Sequence, residues 1–323
     1  MDSPSKEMYF PIQLSYLLID SIRSFDIFIK VKSKMVLYHS GGDRFTTEVR
    51  DNLLENNINV LYIHKTDREV YHRYLEENLV TILQEPGIGV AEKAEITHES
   101  INNIAKSLFE APRAQTITRY KSIISTTMDF IMKEEDAITN LIRLTSHDFA
   151  TYIHSVNVGI FAIGLSKELL KSNKGHNMKE LAAGFFLHDI GKCFIPLTVL
   201  NKRGPLTTDE WEIVRRHPYD GYKLLEKYNS LTDEAKYIVM EHHERHNGKG
   251  YPRKLQGSQI HLYSKICCIA DVFEALTSRR PYKKPHTSFH ALQIMKNEMH
   301  DEFDPDFFGK FVFLFSNVKS HSS

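Results

Sequence analysis

The chain is poor in cysteine and has no excess of charge of either sign. Only three of its 323 residues are cysteine, namely Cys193, Cys267 and Cys268. This number and spacing exclude a disulfide framework and a cysteine-rich zinc site, so we expect the three thiols to be reduced core residues. Lysine plus arginine equals aspartate plus glutamate at 41 each, which leaves no general basic field for a nucleic acid polymer or an anionic membrane surface.

A long hydrophobic run is also lacking. No stretch approaches the roughly 18 apolar residues that a membrane-spanning helix requires, and no basic segment precedes an apolar core at the N-terminus. We therefore expect a cytoplasmic protein without a membrane partner. The proportions of charged (25%) and hydrophobic (41%) residues are ordinary for a folded globular protein, and the length suggests two domains.

Strand-like and helical patterns alternate in the first part of the chain. The apolar alternation predicts strands at 26–31, 34–39 and 58–64. It also predicts a helix ending near Glu55 and a second helix that starts after Asp67 and stops at Pro86. We interpret residues 1–86 as a small α/β domain that senses a signal or binds a partner protein, since it contains no cofactor motif.

The rest of the chain has helical periodicity. Helices are predicted near 91–110, 115–145, 148–172, 178–189, 208–227, 232–244, 260–278 and 286–300. The predicted fold class is therefore α+β, with residues 87–145 as a helical linker or stalk and 146–323 as an all-α domain. The helices between 91 and 145 could also form the contact of a homodimer.

Five histidines and two aspartates lie in apolar surroundings or at helix ends of the C-terminal half. They are His154, His188, Asp189, His217, His242, His243 and Asp271. His188 and Asp189 precede Gly191, where the chain can turn. Burial of five imidazoles and two carboxylates would be costly without partners, whereas one or two divalent cations would satisfy them together. The sequence therefore predicts a shared metal site.

Phosphoester hydrolysis is a chemistry that suits such a site. A pair of bridged cations lowers the pKa of a water between them, and the resulting hydroxide can attack phosphorus while the cations stabilise the phosphoryl oxygens. Lys192 follows this cluster closely in sequence and is well placed to contact a phosphate oxygen.

At these residues the sequence resembles the HD-GYP family of the HD phosphohydrolase superfamily. The family's named motifs are present as HDIGK (188–192) and HHERHNGKGYP (242–252). Flanking segments match in the same order, namely HSVNVG (154–159), RRHPYDGY (215–222), ADVFEALTSRRPYKK (270–284) and FDP (303–305). The resemblance covers roughly residues 145–315 and implies an HD-type helical bundle as the catalytic domain.

The resemblance implies two divalent metal ions, with iron or manganese expected. One ion would be held by His154, His188, Asp189 and Asp271, and the other by Asp189, His217, His242 and His243. Asp189 would then bridge the pair. Family members with a third metal carry a glutamate four residues before the first histidine ligand, where this chain has Ala150. We therefore predict two ions rather than three.

The resemblance also implies a substrate, because the family hydrolyses cyclic di-GMP. Asp189 and Lys192 would be catalytic, and the linear product pGpG could be cleaved further to GMP. Substrate contacts would fall on Arg280, Lys283, Gly250, Tyr251 and Pro252. The signature loop has Asn247 where the family usually has aspartate, and we expect the fold of the loop to survive.

Two alternatives remain open at this point. The protein could bind cyclic di-GMP for signalling without useful turnover, or it could be an HD phosphohydrolase that acts on another cyclic dinucleotide. Thr207 and Glu210 have the spacing of a capping box at a helix start. On the helix that follows, Trp211, Val214 and Leu224 are expected to be core residues without a functional role.

Overall fold

The computed structural model describes residues 8–21, 24–145, 150–170, 175–279 and 284–319. The chain divides into two compact units, residues 1–100 and 101–323. Within the described residues, no helix combines the length and the apolar character that crossing a membrane requires. The predicted α+β class is confirmed, and all strands among these described residues lie in the N-terminal unit.

The N-terminal unit contains a four-stranded antiparallel sheet with the order β1-β4-β2-β3. Its elements are β1 (Tyr9–Gln13), β2 (Ile27–Val31), β3 (Lys34–His39), α1 (Thr47–Glu55), β4 (Val60–His64) and α2 (Arg68–Gln84). Strand β1 was not predicted, because Pro11 weakens its strand pattern. Proline is nevertheless tolerated here since β1 lies at the sheet edge, where it pairs with β4 alone.

The C-terminal unit is helical in its described part. Its helices, beginning with one that crosses the boundary between the units, are α3 (Val90–Glu110), α4 (Ala114–Lys133), α5 (Ala137–Leu144), α6 (Thr151–Leu169), α7 (Met178–Leu187), α8 (Leu197–Leu200), α9 (Thr208–Arg215), α10 (His217–Lys227), α11 (Asp233–Glu241), α12 (Leu262–Thr277), α13 (Ser288–Asn297) and α14 (Pro305–Lys319). A 3-10 helix, Ile190–Phe194, follows α7.

Two predicted helices are each divided in the structure. The run 115–145 breaks after α4, where Glu134 has an extended backbone. The run 208–227 breaks at Arg216, because Pro218 in the first turn of α10 has no N–H to continue the helical hydrogen bonding of α9. Helix α14 was missed altogether.

Helix α6 lies at the centre of the C-terminal unit and is buried from His154 to Ser166. It packs against α7 so closely that a Cβ on Gly159 would lie 2.5 Å from the ring of Phe186. On α12 and α14, Phe273 and Phe311 pack with Phe161 of α6, with the Phe161 and Phe273 ring centroids 5.2 Å apart. This packing fixes the backbones from which several of the predicted metal ligands project.

Candidate metal centre

The structure brings all seven predicted metal ligands together. They form two groups of potential ligand atoms, Asp189 with His217, His242 and His243, and His154 with His188 and Asp271, and within each group the atoms lie within 4.8 Å of one another. Five different elements contribute to the cluster. These are α6, the junction of α7 with the 3-10 helix, α10, the end of α11, and α12.

Asp189 connects the two groups through its two carboxylate oxygens. Oδ2 lies 3.2 Å from His154 Nε2 and 3.5 Å from His188 Nε2. Oδ1 lies 3.1 Å from His217 Nε2 and 3.6 Å from His242 Nε2. Because each oxygen faces a different set of imidazoles, the carboxylate has the arrangement that a bridge between two cations requires.

Asp271 holds the opposite side of the cluster. Its Oδ1 lies 3.2 Å from His154 Nε2, and its Oδ2 lies 3.4 Å from His243 Nδ1. Both carboxylates are therefore placed between imidazole nitrogens.

Three of the histidines are oriented by backbone carbonyl groups. Their Nδ1 atoms donate to a carbonyl oxygen, from His188 to Phe185 at 2.8 Å, from His217 to Val214 at 2.6 Å, and from His242 to Val239 at 3.0 Å. A donating Nδ1–H leaves the lone pair on Nε2, the atom that faces Asp189 in each case. The helix ends thus set the tautomer that binds a metal.

Glu274 orients the fourth histidine and was missed by the sequence reasoning. His154 Nδ1 donates to the Glu274 carboxylate, which also accepts hydrogen bonds from Asn157 at 3.2 Å and from Ser278. The available signal was a second acidic residue three positions after Asp271, which puts both carboxylates on one face of an otherwise apolar helix.

Replacing Glu274 with glutamine should weaken metal binding at one group only. The amide lacks the charge that holds His154, and loss of such an orienting partner lowers metal affinity by about 10- to 100-fold. Competition with a chelator would measure the two affinities, with the exposed Glu298→Gln as control. If folded Glu274→Gln protein bound metal at both groups as tightly as the unmodified protein, Glu274 would not be the residue that orients His154 for metal binding.

The buried polar atoms of the cluster fit a bound cation. His154 Nε2, His188 Nε2 and Asp189 Oδ1 are buried, and although neighbouring ligand atoms lie as close as 3.1 Å, none of the three forms a well-aligned hydrogen bond in the described chain. This arrangement is unfavourable unless another group satisfies them. Burial lowers the pKa of His188 to about 3 and also lowers the pKa values of His217 and His243. These imidazoles are therefore neutral at physiological pH, which is the form that binds metals.

Two further ligands, Asp189 and His154, are influenced by nearby opposite charges. Burial alone would raise the pKa of Asp189, but the Lys192 ammonium and the neighbouring histidines hold it well below its usual value. Burial would lower the pKa of His154, yet Glu274, Asp189 and Asp271 raise it well above its usual value.

The cluster opens into a cavity of about 830 Å³, a volume that accommodates a nucleotide-sized ligand. His154, His217, His243 and Asp271 line it together with Lys192, whose ammonium contacts Asp189. The Lys192 ammonium thus contacts a proposed metal ligand and also borders the space for substrate.

The signature loop packs tightly against the end of α11. A Cβ on Gly250 would lie 2.4 Å from the Arg245 nitrogen, so only glycine permits this approach. The next residue, Tyr251, lines the cavity and stacks on His243 with ring centroids 4.6 Å apart. Asn247 accepts a hydrogen bond from the Lys249 N–H at 3.0 Å and thereby forms a turn, as expected.

None of the other four predicted substrate contacts is a described residue of the cavity wall. Gly250 and Pro252 are not among the described residues that line the cavity. Arg280 and Lys283 lie outside the described residues. Their roles stay predictions. Ala150 lies immediately before α6 and has no side-chain donor or acceptor.

The expectation that Trp211 is a core residue was wrong. Its side chain is 46% exposed and lines the cavity together with Val214, whereas Leu224 is buried as expected. Helix α9 has no buried residue, and its Trp211 and Val214 side chains line the cavity wall instead of filling a core. The predicted capping box of Thr207 and Glu210 at the start of this helix is confirmed.

The prediction that the cysteines are core residues is confirmed for two of the three thiols. Cys267 and Cys268 are free and buried on α12, while Cys193 is free but only half-buried. Cys268 Sγ accepts a hydrogen bond from Arg245 at 2.9 Å, so it supports the signature loop.

Comparison with known proteins agrees with this geometry. The chain is 37% identical over 182 residues to the cyclic di-GMP phosphodiesterase PA4108 of Pseudomonas aeruginosa. The matched region covers 56% of this chain and 43% of the relative. It is 39% identical over 120 residues to the 3'3'-cGAMP-specific phosphodiesterase 2 of Vibrio cholerae, and this match covers 37% of this chain and 23% of that relative. The chain thus spans less than half the length of either relative.

A solved structure has the same fold over nearly the whole chain. It is that of Bd1817, an HDG"Y"P protein from Bdellovibrio bacteriovorus, with a TM-score of 0.66, 21% identity, and coverage of 95% of this chain and 99% of that one. A helical unit with a buried His/Asp cluster of this kind defines an HD-type domain. The family model described as "HD domain" matches residues 136–307. The chain belongs to the HD domain family, and its resemblance to the HD-GYP group is confirmed.

Proposed function

We propose that the protein is a metal-dependent phosphodiesterase that hydrolyses cyclic di-GMP. The observation that carries the proposal is the Asp189 carboxylate, which faces two separate groups of imidazoles beside a nucleotide-sized cavity. The names of relatives such as the Pseudomonas phosphodiesterase support the substrate. The motif resemblance supports hydrolysis to linear pGpG, with further cleavage to GMP.

The donor set suits two divalent cations, which we propose to be iron or manganese. One group would consist of His154, His188, Asp189 and Asp271, and the other of Asp189, His217, His242 and His243. Imidazole binds such transition metals well, and carboxylates tolerate both. When bound, the ions would supply Lewis acidity that activates water and stabilises charge on the phosphoryl oxygens.

The chain's own residues would bind and orient the diester. The Lys192 ammonium is held by Asp189 at the cavity floor, from where it would contact a non-bridging phosphate oxygen. Tyr251 would border the same space, since its ring stacks on His243. The predicted contacts of Arg280, Lys283, Gly250 and Pro252 complete the proposed substrate site.

Turnover of cyclic di-GMP by metal-loaded protein tests the proposal. Protein loaded with iron(II) or manganese under reducing conditions should form pGpG, detected by chromatography, and should contain two metal equivalents per chain. Absence of product with both metals would reject the enzyme activity. Three equivalents in fully active protein would contradict the two-metal site that Ala150 suggests.

A second candidate is hydrolysis of a different cyclic dinucleotide. The Vibrio relative is named for 3'3'-cGAMP, so one relative's specificity includes a guanine and an adenine base. Competition among cyclic di-GMP, 3'3'-cGAMP and cyclic di-AMP would rank the substrates. A higher kcat/KM for 3'3'-cGAMP would favour this second candidate.

We further propose that residues 1–86 bind a signal or a partner protein. Residues 87–145 would connect this domain to the catalytic residues 146–323. The chain would form a homodimer. The division into compact units near residue 100 supports an N-terminal region with its own core. The molar mass from light scattering would decide between monomer and dimer.

A further inference from the structure

Trp211 is the single tryptophan of the chain and lies on the cavity wall. It is half-exposed on α9, where Arg215 follows one helical turn later. The Arg215 guanidinium lies over the indole with Cζ 5.6 Å from the ring centroid, a cation–π contact that restrains the ring. An aromatic surface is thus held in place at the side of the substrate space.

This surface continues towards the metal centre. Arg215 also lies over the ring of Tyr251, with Cζ 5.7 Å from its centroid. Tyr251 in turn stacks on His243 with an interplanar angle of 27°. The rings and the guanidinium therefore form a continuous series from a proposed metal ligand to Trp211.

Arg203 is a second unexplained group in this cavity. Three described residues that line it carry a permanent positive charge, and two of these have an acidic partner, Lys192 with Asp189 and Arg245 with Glu302. The third, Arg203, is exposed and makes no side-chain hydrogen bond or ion pair within the described part of the chain. Its donors are available to a ligand.

We propose that Trp211 and Arg203 form a guanine subsite, an inference that rests on the proposed function. The Trp211 indole stacks on one base of the cyclic dinucleotide, because aromatic rings bind the faces of bases in single-stranded nucleotides. Arg203 donates to O6 and N7 of that base. Guanine presents two acceptors at this edge, whereas adenine presents an amino donor in place of O6, so the arginine favours guanine.

Intrinsic fluorescence tests the stacking contact apart from catalysis. Since Trp211 is the only tryptophan, its emission reports on this subsite. GMP added to manganese-loaded protein should quench the emission saturably, because it carries the base but no diester to be hydrolysed. Ribose 5-phosphate, which lacks the base, should not quench. Equal quenching by both compounds would overturn the stacking role.

Steady-state kinetics test the same contact in turnover. Trp211→Ala should raise KM for cyclic di-GMP about ten-fold with little change in kcat, since stacking is retained in the transition state. Trp211→Phe should recover most of the affinity. Met132→Ala is a matched control, because Met132 is 64% exposed on α4 and does not line the cavity. An unchanged KM in Trp211→Ala would refute the proposal.

Arg203→Gln tests base selection. Glutamine can pair with adenine, so the preference for cyclic di-GMP over cyclic di-AMP in kcat/KM should fall about ten-fold. An unchanged preference would remove Arg203 from the subsite. These outcomes are distinct from failure of the proposed function, which would appear as absence of turnover in the unmodified protein.

Discussion

Replacing Asp189 with asparagine should abolish the stoichiometric binding of both metal ions and reduce turnover of cyclic di-GMP by at least ~100-fold. The two carboxylate oxygens face different groups of imidazoles, so a single substitution affects both groups. Asparagine has one side-chain oxygen, and its amide NH2 would direct a hydrogen-bond donor at the second group of imidazoles. Loss of a mere orienting partner costs up to about 100-fold in metal affinity or activity, so loss of the bridging ligand should cost at least as much.

Metal analysis and product formation together measure this effect. Asparagine has nearly the volume of aspartate, so circular dichroism should show a retained helical fold. Asp129→Asn is the matched control, because Asp129 is exposed on α4, where it pairs with Lys179. Retention of two metal equivalents in Asp189→Asn would show that the carboxylate is not a bridge.

Replacing Gly191 with alanine should destabilise the C-terminal unit and separate His217 from the other ligands. A Cβ on Gly191 would lie 2.0 Å from the His217 carbonyl oxygen and 2.5 Å from the Gly221 nitrogen. Both are backbone atoms, so α10 must move as a whole. Overpacking of this kind costs about 1–3 kcal/mol or more, which corresponds to a fall in Tm of roughly 2–12 °C for a unit of this size.

A thermal unfolding curve recorded with and without metal would test this effect. Gly309→Ala is the control, since no atom lies within 4 Å of a Cβ at that position on α14. In a helix this substitution should raise stability by about 0.5–1 kcal/mol. Equal Tm values for Gly191→Ala and the unmodified protein would mean that α10 can adjust without strain.

Much of the candidate site was predictable from local sequence. His188 and Asp189 stand before a glycine, His242 and His243 stand at a helix end, and Asp271 interrupts an apolar helix. Each is costly to bury alone, so their joint presence indicated a common cation. The motif resemblance then assigned them to two groups, and the structure places these residues in the same two groups with Asp189 between them.

Residues whose role depends on distant contacts could not be recognised in this way. Glu274 orients His154 across 120 positions of sequence, and its place on the same face of α12 as Asp271 does not indicate which distant residue it contacts. A core position is the sequence-based prediction for Trp211, because large apolar residues are usually buried. Its helix instead borders a cavity whose wall also includes Tyr251 and the end of α12, both remote from Trp211 in sequence.

The sequence by itself therefore determined the helical class of the C-terminal unit and the identity of the seven candidate ligands, because periodicity and polar residues in apolar positions are local properties. Only the tertiary structure decided that Asp189 faces both groups, that Glu274 supports His154, and that Trp211 and Arg203 line the same cavity as Lys192. These relations depend on how separate helices pack, and helix packing is set by side-chain contacts between segments remote in sequence.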